Sequence, residues 1–247
     1  MPGTLMLNGL AVDVQRKAIK NIHLAVYPPA GSVRISAPLW MSDERIRLFA
    51  LAKLEWIRKQ RRVIQAQARE TPREFLNQET HFVWGHPYLL RLEERLTTPG
   101  VNLEHSTVTL YVRPGSDAGK MQETLEGWYR QILRKAALPR LAQWQKALGL
   151  PSVTLRIRRM KTRWGTCTPA RYSILLNTEL AKKPRECLEY IVVHELMHFL
   201  EPNHGQNFTA LMDKHLPRWR ALKKKLNRLP VAHEEWEDEA LLGGNRQ

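Results

Sequence analysis

The chain has 247 residues, enough for one large domain or two small ones with a substantial core. Hydrophobic residues make up 43% and charged residues 26%, which excludes a dominantly disordered chain, and no apolar run approaches the roughly 18 residues of a membrane span. The formal net charge of +15 favours anionic partners, so nucleic acid is one expected partner through the basic surface, with a merely solubilising surface as the plain alternative.

At the N terminus, Asn8, Asp13 and Arg16-Lys17 interrupt the apolar residues that follow Met1. No secretory leader is expected, and the protein is read as cytoplasmic. Leu10, Val12 and Val14 alternate with polar residues, as do Ile22, Leu24 and Val26, and then Val33 and Ile35, with Pro28-Pro29-Ala30-Gly31 as an intervening turn. Ser42 offers an N-cap, Asp43 and Glu44 fall in a first turn, and Ile46, Phe49, Ala50, Leu54 and Ile57 follow at helical spacing. The spacing predicts one long helix running into Arg58-Lys59-Gln60-Arg61-Arg62. A second β-rich block follows: Phe82 to Trp84, Gly85-His86-Pro87, then Tyr88, Leu90 and Leu92, and later Val108, Leu110 and Val112.

Beyond Pro114-Gly115, Leu125, Trp128, Ile132, Leu133 and Ala136 mark a helix expected to bend or break near Pro139, with Gly149 ending the helical run. Val153, Leu155 and Ile157 form one strand candidate and Tyr172 to Asn177 another. Pro184 suits the first turn of a helix reaching about Leu200, where Pro202 stops it. Gly205 to His215 reads as a further helix, and Trp219, Leu222 and Leu226 as a short amphipathic one. No internal repeat is visible, and the tail from Val231 is acidic.

The chemistry concentrates in His194-Glu195-Leu196-Met197-His198. Residues four apart lie one turn up the same helix face, so both imidazoles can point at one ion. Glu195 reaches the same side and can activate a water at the metal without ligating the metal itself. A catalytic zinc has three protein ligands and an open position. His204 is the candidate third ligand, because Pro202 forces the chain out of helical geometry and lets it turn back; His215 or Glu201 stand next in line. With only Cys167 and Cys187 available, a cysteine-only zinc site is excluded. Manganese or nickel could occupy the same ligands as zinc.

Arg159-Met160-Lys161-Thr162-Arg163-Trp164-Gly165-Thr166-Cys167, Ile174-Leu175-Leu176-Asn177, Tyr190 through His198, Asn203-His204-Gly205 with Phe208, and Pro217-Arg218-Trp219 together resemble the YgjP-like metallopeptidases, relatives of the SprT-like proteins. The resemblance implies one zinc ion on His194, His198 and His204, with Glu195 as catalytic base and a polypeptide substrate. Position 201 is Glu, where metzincins with the same histidine spacing have glycine, which argues against a metzincin.

Arg163 is a candidate substrate-binding residue, able to stabilise an oxyanion or anchor a carboxylate, and Asn177 is a second at the end of a strand expected to line the cleft and offer its edge to substrate. Cys167, following Gly165-Thr166, is a candidate to approach the site, with no sequence feature that would lower its thiol pKa. The basic runs Arg58 to Arg62, Arg156 to Arg163 and Lys223-Lys224-Lys225 suit phosphate, so a metal-dependent nuclease or nucleic-acid-associated hydrolase using the same three histidines is the competing function. The expected architecture is α+β: a β-rich N-terminal part with one long helix over 1–115, a zincin-like helical catalytic part with an active-site strand over 116–230, and an acidic tail over 231–247.

Overall fold

The computed structural model describes residues 3–27, 30–66, 75, 77–160 and 163–229. The chain divides between Thr71 and Pro72 into two compact units. The turn expected at Pro28-Pro29, Lys161 and Thr162 of the basic motif, and the acidic tail lie outside the described residues.

The first unit contains β1 (Gly3–Leu7), β2 (Leu10–Lys17), β3 (His23–Tyr27), β4 (Ser32–Pro38), α1 (Asp43–Ala52) and α2 (Leu54–Ala66). Its sheet has the order β1-β2-β4-β3, with β2 and β4 parallel and the outer pairs antiparallel. The inward-facing Val12, Val14, Val33 and Ile35 pack with Ile46, Ala50 and Ile57 from the helices, as period-two and period-3.6 patterning dictates. The expected single helix is two. Ser42 accepts from the Arg45 N–H and caps α1, but the backbone leaves helical geometry at Lys53 (φ −104°, ψ 5°). No proline or glycine marks that break.

The second unit opens with β5 (Thr80–Val83), β6 (His86–Glu94), β7 (Gly100–Glu104), β8 (Thr107–Val112) and α3 (Ala118–Leu148). Its sheet has the order β5-β6-β8-β7, again with the middle pair parallel and the outer pairs antiparallel. This is the topology of the first unit repeated. Both first hairpins turn through two residues of positive φ, Asn8-Gly9 and Trp84-Gly85, as type I′ turns require. Both following helices are capped by a side-chain oxygen, from Ser42 and from Asp117. The repeat was not legible in the sequence because what the copies share locally, alternating strands, two-residue turns and a cap, is generic, and the strand order that relates them is set by pairing.

The break expected after residue 115 is not where the units divide. Val83, Leu90, Val108, Leu110 and Val112 share one core with Leu125, Tyr129 and Leu133 of α3 and with Leu188, Val192 and Leu196 further on. α3 also runs uninterrupted through Pro139 for 31 residues and ends at Gly149 in the left-handed conformation (φ 64°, ψ 25°), the glycine stop the sequence predicts. No helix among the described residues is long and apolar enough to cross a membrane.

After α3 come β9 (Thr154–Arg158), β10 (Gly165–Thr168), β11 (Ser173–Asn177), a 3₁₀ segment (Thr178–Lys182), α4 (Arg185–Met197), α5 (Gln206–His215) and α6 (Trp219–Arg228). The fold clamps the start of α4 from two sides. Trp84 and Gly85 at the β5–β6 turn donate N–H bonds to the carbonyls of Ala181 and Lys182 at 2.8 and 3.1 Å. A Cβ on Gly85 would meet Pro184 at 2.8 Å, so only glycine lets this turn sit against the helix entrance. Lys225 of α6 reaches Glu186 in the first turn of α4 at 2.6 Å.

Candidate metal centre

α4 is buried along nearly its whole length, including Leu188, Ile191, Val192, Val193, Leu196 and Met197. His194 therefore emerges from a helix fixed by its surroundings, and His198 is its C-cap, still close to helical geometry (φ −66°, ψ −14°). The Phe199, Leu200 and Glu201 N–H groups fold back onto the Leu196 and Met197 carbonyls. The helix thus stops short of the expected Leu200, and the chain turns through Pro202 to deliver His204 just before α5.

The ring nitrogens of His194, His198 and His204 lie within 4.8 Å of one another. The Nε2 atoms of His194 and His204 are 3.0 Å apart. Nδ1 of His198 lies 3.3 Å from the Glu201 carbonyl oxygen. A carbonyl only accepts, so Nδ1 carries the proton and the Nε2 lone pair is left for a metal. Phe208, 3% exposed, packs against all three rings with centroids 5.0, 4.9 and 4.7 Å away. Burial, reinforced by repulsion from His198, His204 and Lys223, pushes His194 down to about 3. Burial, with His198 and Lys223, also lowers His204. Both are neutral near pH 7, as metal ligation requires. A tetrahedral zinc with Zn–N of about 2.0–2.1 Å holds its nitrogens roughly 3.3 Å apart, so this donor set fits such an ion with small rotamer adjustments.

Glu195 is 5% exposed. Burial pushes its carboxyl up to about 7, with the positive charge of Arg163 pulling the other way. It packs directly beneath β10. A Cβ on Gly165 would lie 2.6 Å from Glu195 Oε1, 2.8 Å from its Cγ and 2.9 Å from Ile191 Cγ2. Gly165 is therefore the residue that lets a strand lie on the glutamate, a role the sequence did not reveal because it depends on a contact with a residue far along the chain. Gly165→Ala is expected to lower turnover by about a hundredfold, the scale of a misplaced catalytic group, and to destabilise by about 1–3 kcal/mol through overpacking. Steady-state kinetics beside thermal melts check this; unchanged kinetics would show that Glu195 has no positional role.

Two cavities meet at the histidines. One, of about 500 Å³, runs past Thr166, Cys167 and Pro169 to His198 and Pro202. The other, of about 430 Å³, extends beneath Tyr190, Trp219 and Lys223. Arg163, Glu195, His194 and His204 border both.

The strand lining the first cavity is not the one the sequence suggested. β11 is the central strand of the sheet β10-β11-β9, with Ile174 and Leu176 fully buried. β10 is the edge, and among the described residues it pairs only with β11. Its four residues, Gly-Thr-Cys-Thr, carry no apolar alternation, which hid it. Asn177 donates its N–H to the Trp164 carbonyl at 2.9 Å. Antiparallel alternation from that bond places the backbone groups of Gly165 and Cys167 on the side away from β11.

Asn177, expected to touch substrate, is 5% exposed. Its amide donates to the carbonyls of Met160 and Arg163, both at 2.8 Å, and its carbonyl accepts from the N–H groups of Met160 and Glu179, both at 3.2 Å. Both donors and both lone pairs are used. Asn177 clamps the backbone leading into β10 and has no capacity left for substrate. Arg163 is exposed and borders both cavities. His215 packs edge-on against Trp144 of α3, away from the cluster, and Glu201 uses its side chain on Asn203 and Asn207. Cys167 borders the cleft, but burial and the nearby Glu195 charge push its thiol up to about 12, so it stays protonated.

Three convergent imidazoles, a buried glutamate on the same helix and an open strand edge thus lie together at one candidate metal centre. The chain belongs to the YgjP-like family, whose metallopeptidase domain matches residues 20–229. Among solved structures it is similar to the metallopeptidase zymogen jannalysin of Methanocaldococcus jannaschii, at 22% identity and a TM-score of 0.34 over 36% of this chain and 86% of that one. It is also similar to the metallopeptidase zymogen abylysin of Pyrococcus abyssi, at 25% identity and a TM-score of 0.34 over 38% of this chain and 99% of that one. No curated protein sequence matches the chain.

Proposed function

We propose that this metallopeptidase is a zinc enzyme that cleaves polypeptides in extended conformation, with His194, His198 and His204 holding the ion and Glu195 as general base. The observation that carries the reading is the convergence of three imidazole ring nitrogens within 4.8 Å beside a buried glutamate. Bound there, zinc supplies Lewis acidity, polarising a carbonyl and lowering the pKa of water.

The protein's own groups do the rest. Glu195 accepts the proton of the attacking water and returns it to the leaving amine. In the metal-free protein burial raises its pKa to about 7, which marks Glu195 as a carboxyl perturbed by its site, as acid–base groups are. Arg163, at the junction of the cavities, stabilises negative charge developing on the scissile carbonyl. The outward backbone groups of Gly165 and Cys167 pair with an extended substrate as an added strand, which lays a peptide across the histidines.

The test incubates zinc-loaded protein with an unfolded casein-type substrate and with single-stranded RNA, each beside a chelated sample. Zinc-dependent peptide fragments with intact RNA are expected. RNA cleavage without proteolysis would overturn the reading in favour of a nuclease, to which the net charge of +15 is suited.

A further inference from the structure

The cavity of about 430 Å³ on the helical side of the histidines has a distinctive lining. Its walls are mostly apolar or aromatic: Tyr190, Ile191, Phe208, Trp219 and Leu226. Two cations line it: the guanidinium of Arg163, at the junction with the first cavity and assigned above to the scissile carbonyl, and on the helical side the ammonium of Lys223, 5.8 Å from the Trp219 ring centroid. Apart from Glu195, no acidic side chain among the described residues lines this space.

Lys223 differs from its basic neighbours on α6. Arg220 pairs with Asp213, and Lys225 pairs with Glu186 at 2.6 Å. Both pairs fasten α6 to other helices. Trp219 is fixed as well, donating its indole N–H to Asp213 at 2.8 Å. Lys223 takes part in no ion pair with a carboxylate among the described residues. Its position follows from helical spacing. Trp219, Leu222 and Leu226 turn α6 toward the core, and Lys223, four residues after Trp219, falls on the border of that face, above the cavity. A cation lining a largely apolar pocket, on a helix held by two ion pairs, is the arrangement that selects a ligand with an apolar stem and an anionic end.

We propose that this cavity is a specificity pocket for a substrate residue bearing a carboxylate, with Lys223 as the residue that reads the charge. The inference rests on the peptidase reading above and deepens it by naming a substrate class. The carboxylate is either the side chain of a glutamate or aspartate near the scissile bond or the C-terminal carboxylate of the peptide. The first makes the enzyme acid-directed within chains, and the second makes it trim from the C-terminal end.

The experiment uses peptides of one length in which a single Glu, or its isostere Gln, is walked along the sequence, each with a free and an amidated C terminus. Cleavage by the zinc-loaded wild type, Lys223→Arg, Lys223→Met and Lys223→Glu is followed by mass spectrometry. The wild type is expected to cut at a fixed distance from the carboxylate, with kcat/KM about tenfold or more above the uncharged isostere, the scale of a hydrogen bond to a charged group, and with most of the difference in KM. Lys223→Arg keeps the preference, Lys223→Met levels it, and Lys223→Glu turns it toward Lys-containing peptides. Dependence on Glu position identifies a side-chain carboxylate, and dependence on the free terminus identifies the chain end.

Calorimetric titration of the same peptides into metal-free protein gives a readout independent of turnover. Tighter binding of the carboxylate form to the wild type, abolished in Lys223→Met, supports the pocket. If that binding difference is present but no peptide is cut, the peptidase reading falls and the carboxylate pocket stands. A wild type indifferent to charge in both arms, or a Lys223→Met variant that keeps the wild-type preference, overturns the pocket whatever the cleavage activity.

Discussion

Glu195→Gln is expected to lower turnover of an unfolded protein substrate by about 10³-fold or more while leaving the zinc bound per chain unchanged. The loss is at the upper end of what a positioned general base contributes, because no second carboxylate lines either cavity beside the histidines among the described residues. Zinc retention is expected from the geometry: the convergent nitrogens of the proposed ligands belong to His194, His198 and His204, and Glu195 is not among them. Glutamine keeps the shape of the side chain beneath Gly165, so the contact at that glycine survives.

The substitution also has a stability signature opposite to its effect on activity. The folded metal-free protein holds the Glu195 carboxyl at about 7, above the ordinary 4.5. The folded state thus binds more protons than the unfolded one between those values, and stability falls as pH rises through that window. Glutamine never ionises, so the metal-free variant is expected to melt no lower than the metal-free wild type above neutral pH. Elemental analysis, kinetics and thermal melts on the same samples separate the effects. Wild-type turnover in the variant would remove Glu195 from the chemistry, and loss of zinc would make it a ligand.

What the sequence revealed of this site, and what it hid, divides by the range of the physics involved. The pairing of His194 with His198 is a local consequence of helical periodicity, and the return of His204 a local consequence of Pro202. Both were readable because fewer than a dozen residues decide them. The reason for Gly165 is the glutamate thirty residues later, and no local pattern encodes that contact. Asn177 misled for a related reason. A polar residue closing an apolar strand looks the same whether its amide faces a substrate or, as here, four backbone groups. Lys223 sits in a run of three lysines that reads as a solvated face; only the direction of α6 separates it from Lys225, which is tied to Glu186. At the scale of the fold, the α+β class was legible from alternation and caps. The split at Thr71 was not, because the second β-block resembles the first in pattern and only its shared core with α3 assigns it to the unit that carries the histidine cluster.

His204→Ala is expected to weaken zinc binding by at least about 100-fold, since even loss of a partner outside the ligand shell costs 10–100-fold. The residue suits a decisive test because it is exposed and lies outside the helices, on the connection between α4 and α5. Truncating it removes a ligand without opening the core, so metal-free melting temperatures of variant and wild type should agree closely. Zinc-dependent melting gives the contrast. At free zinc a hundredfold above the wild-type Kd, binding stabilises the wild type by about 2.7 kcal/mol, which corresponds to roughly 5–10 °C for a unit of this size. With affinity a hundredfold lower, the same zinc concentration stabilises the variant by only about 0.4 kcal/mol, roughly a degree. Competition against a chromophoric chelator measures the affinities directly. A variant with the wild-type zinc shift would mean that two imidazoles on α4 and some other group complete the site, and the proximity of the His204 and His194 nitrogens, 3.0 Å apart, would need another cause. The expected outcome instead ties metal affinity to the turn that Pro202 imposes four residues after His198.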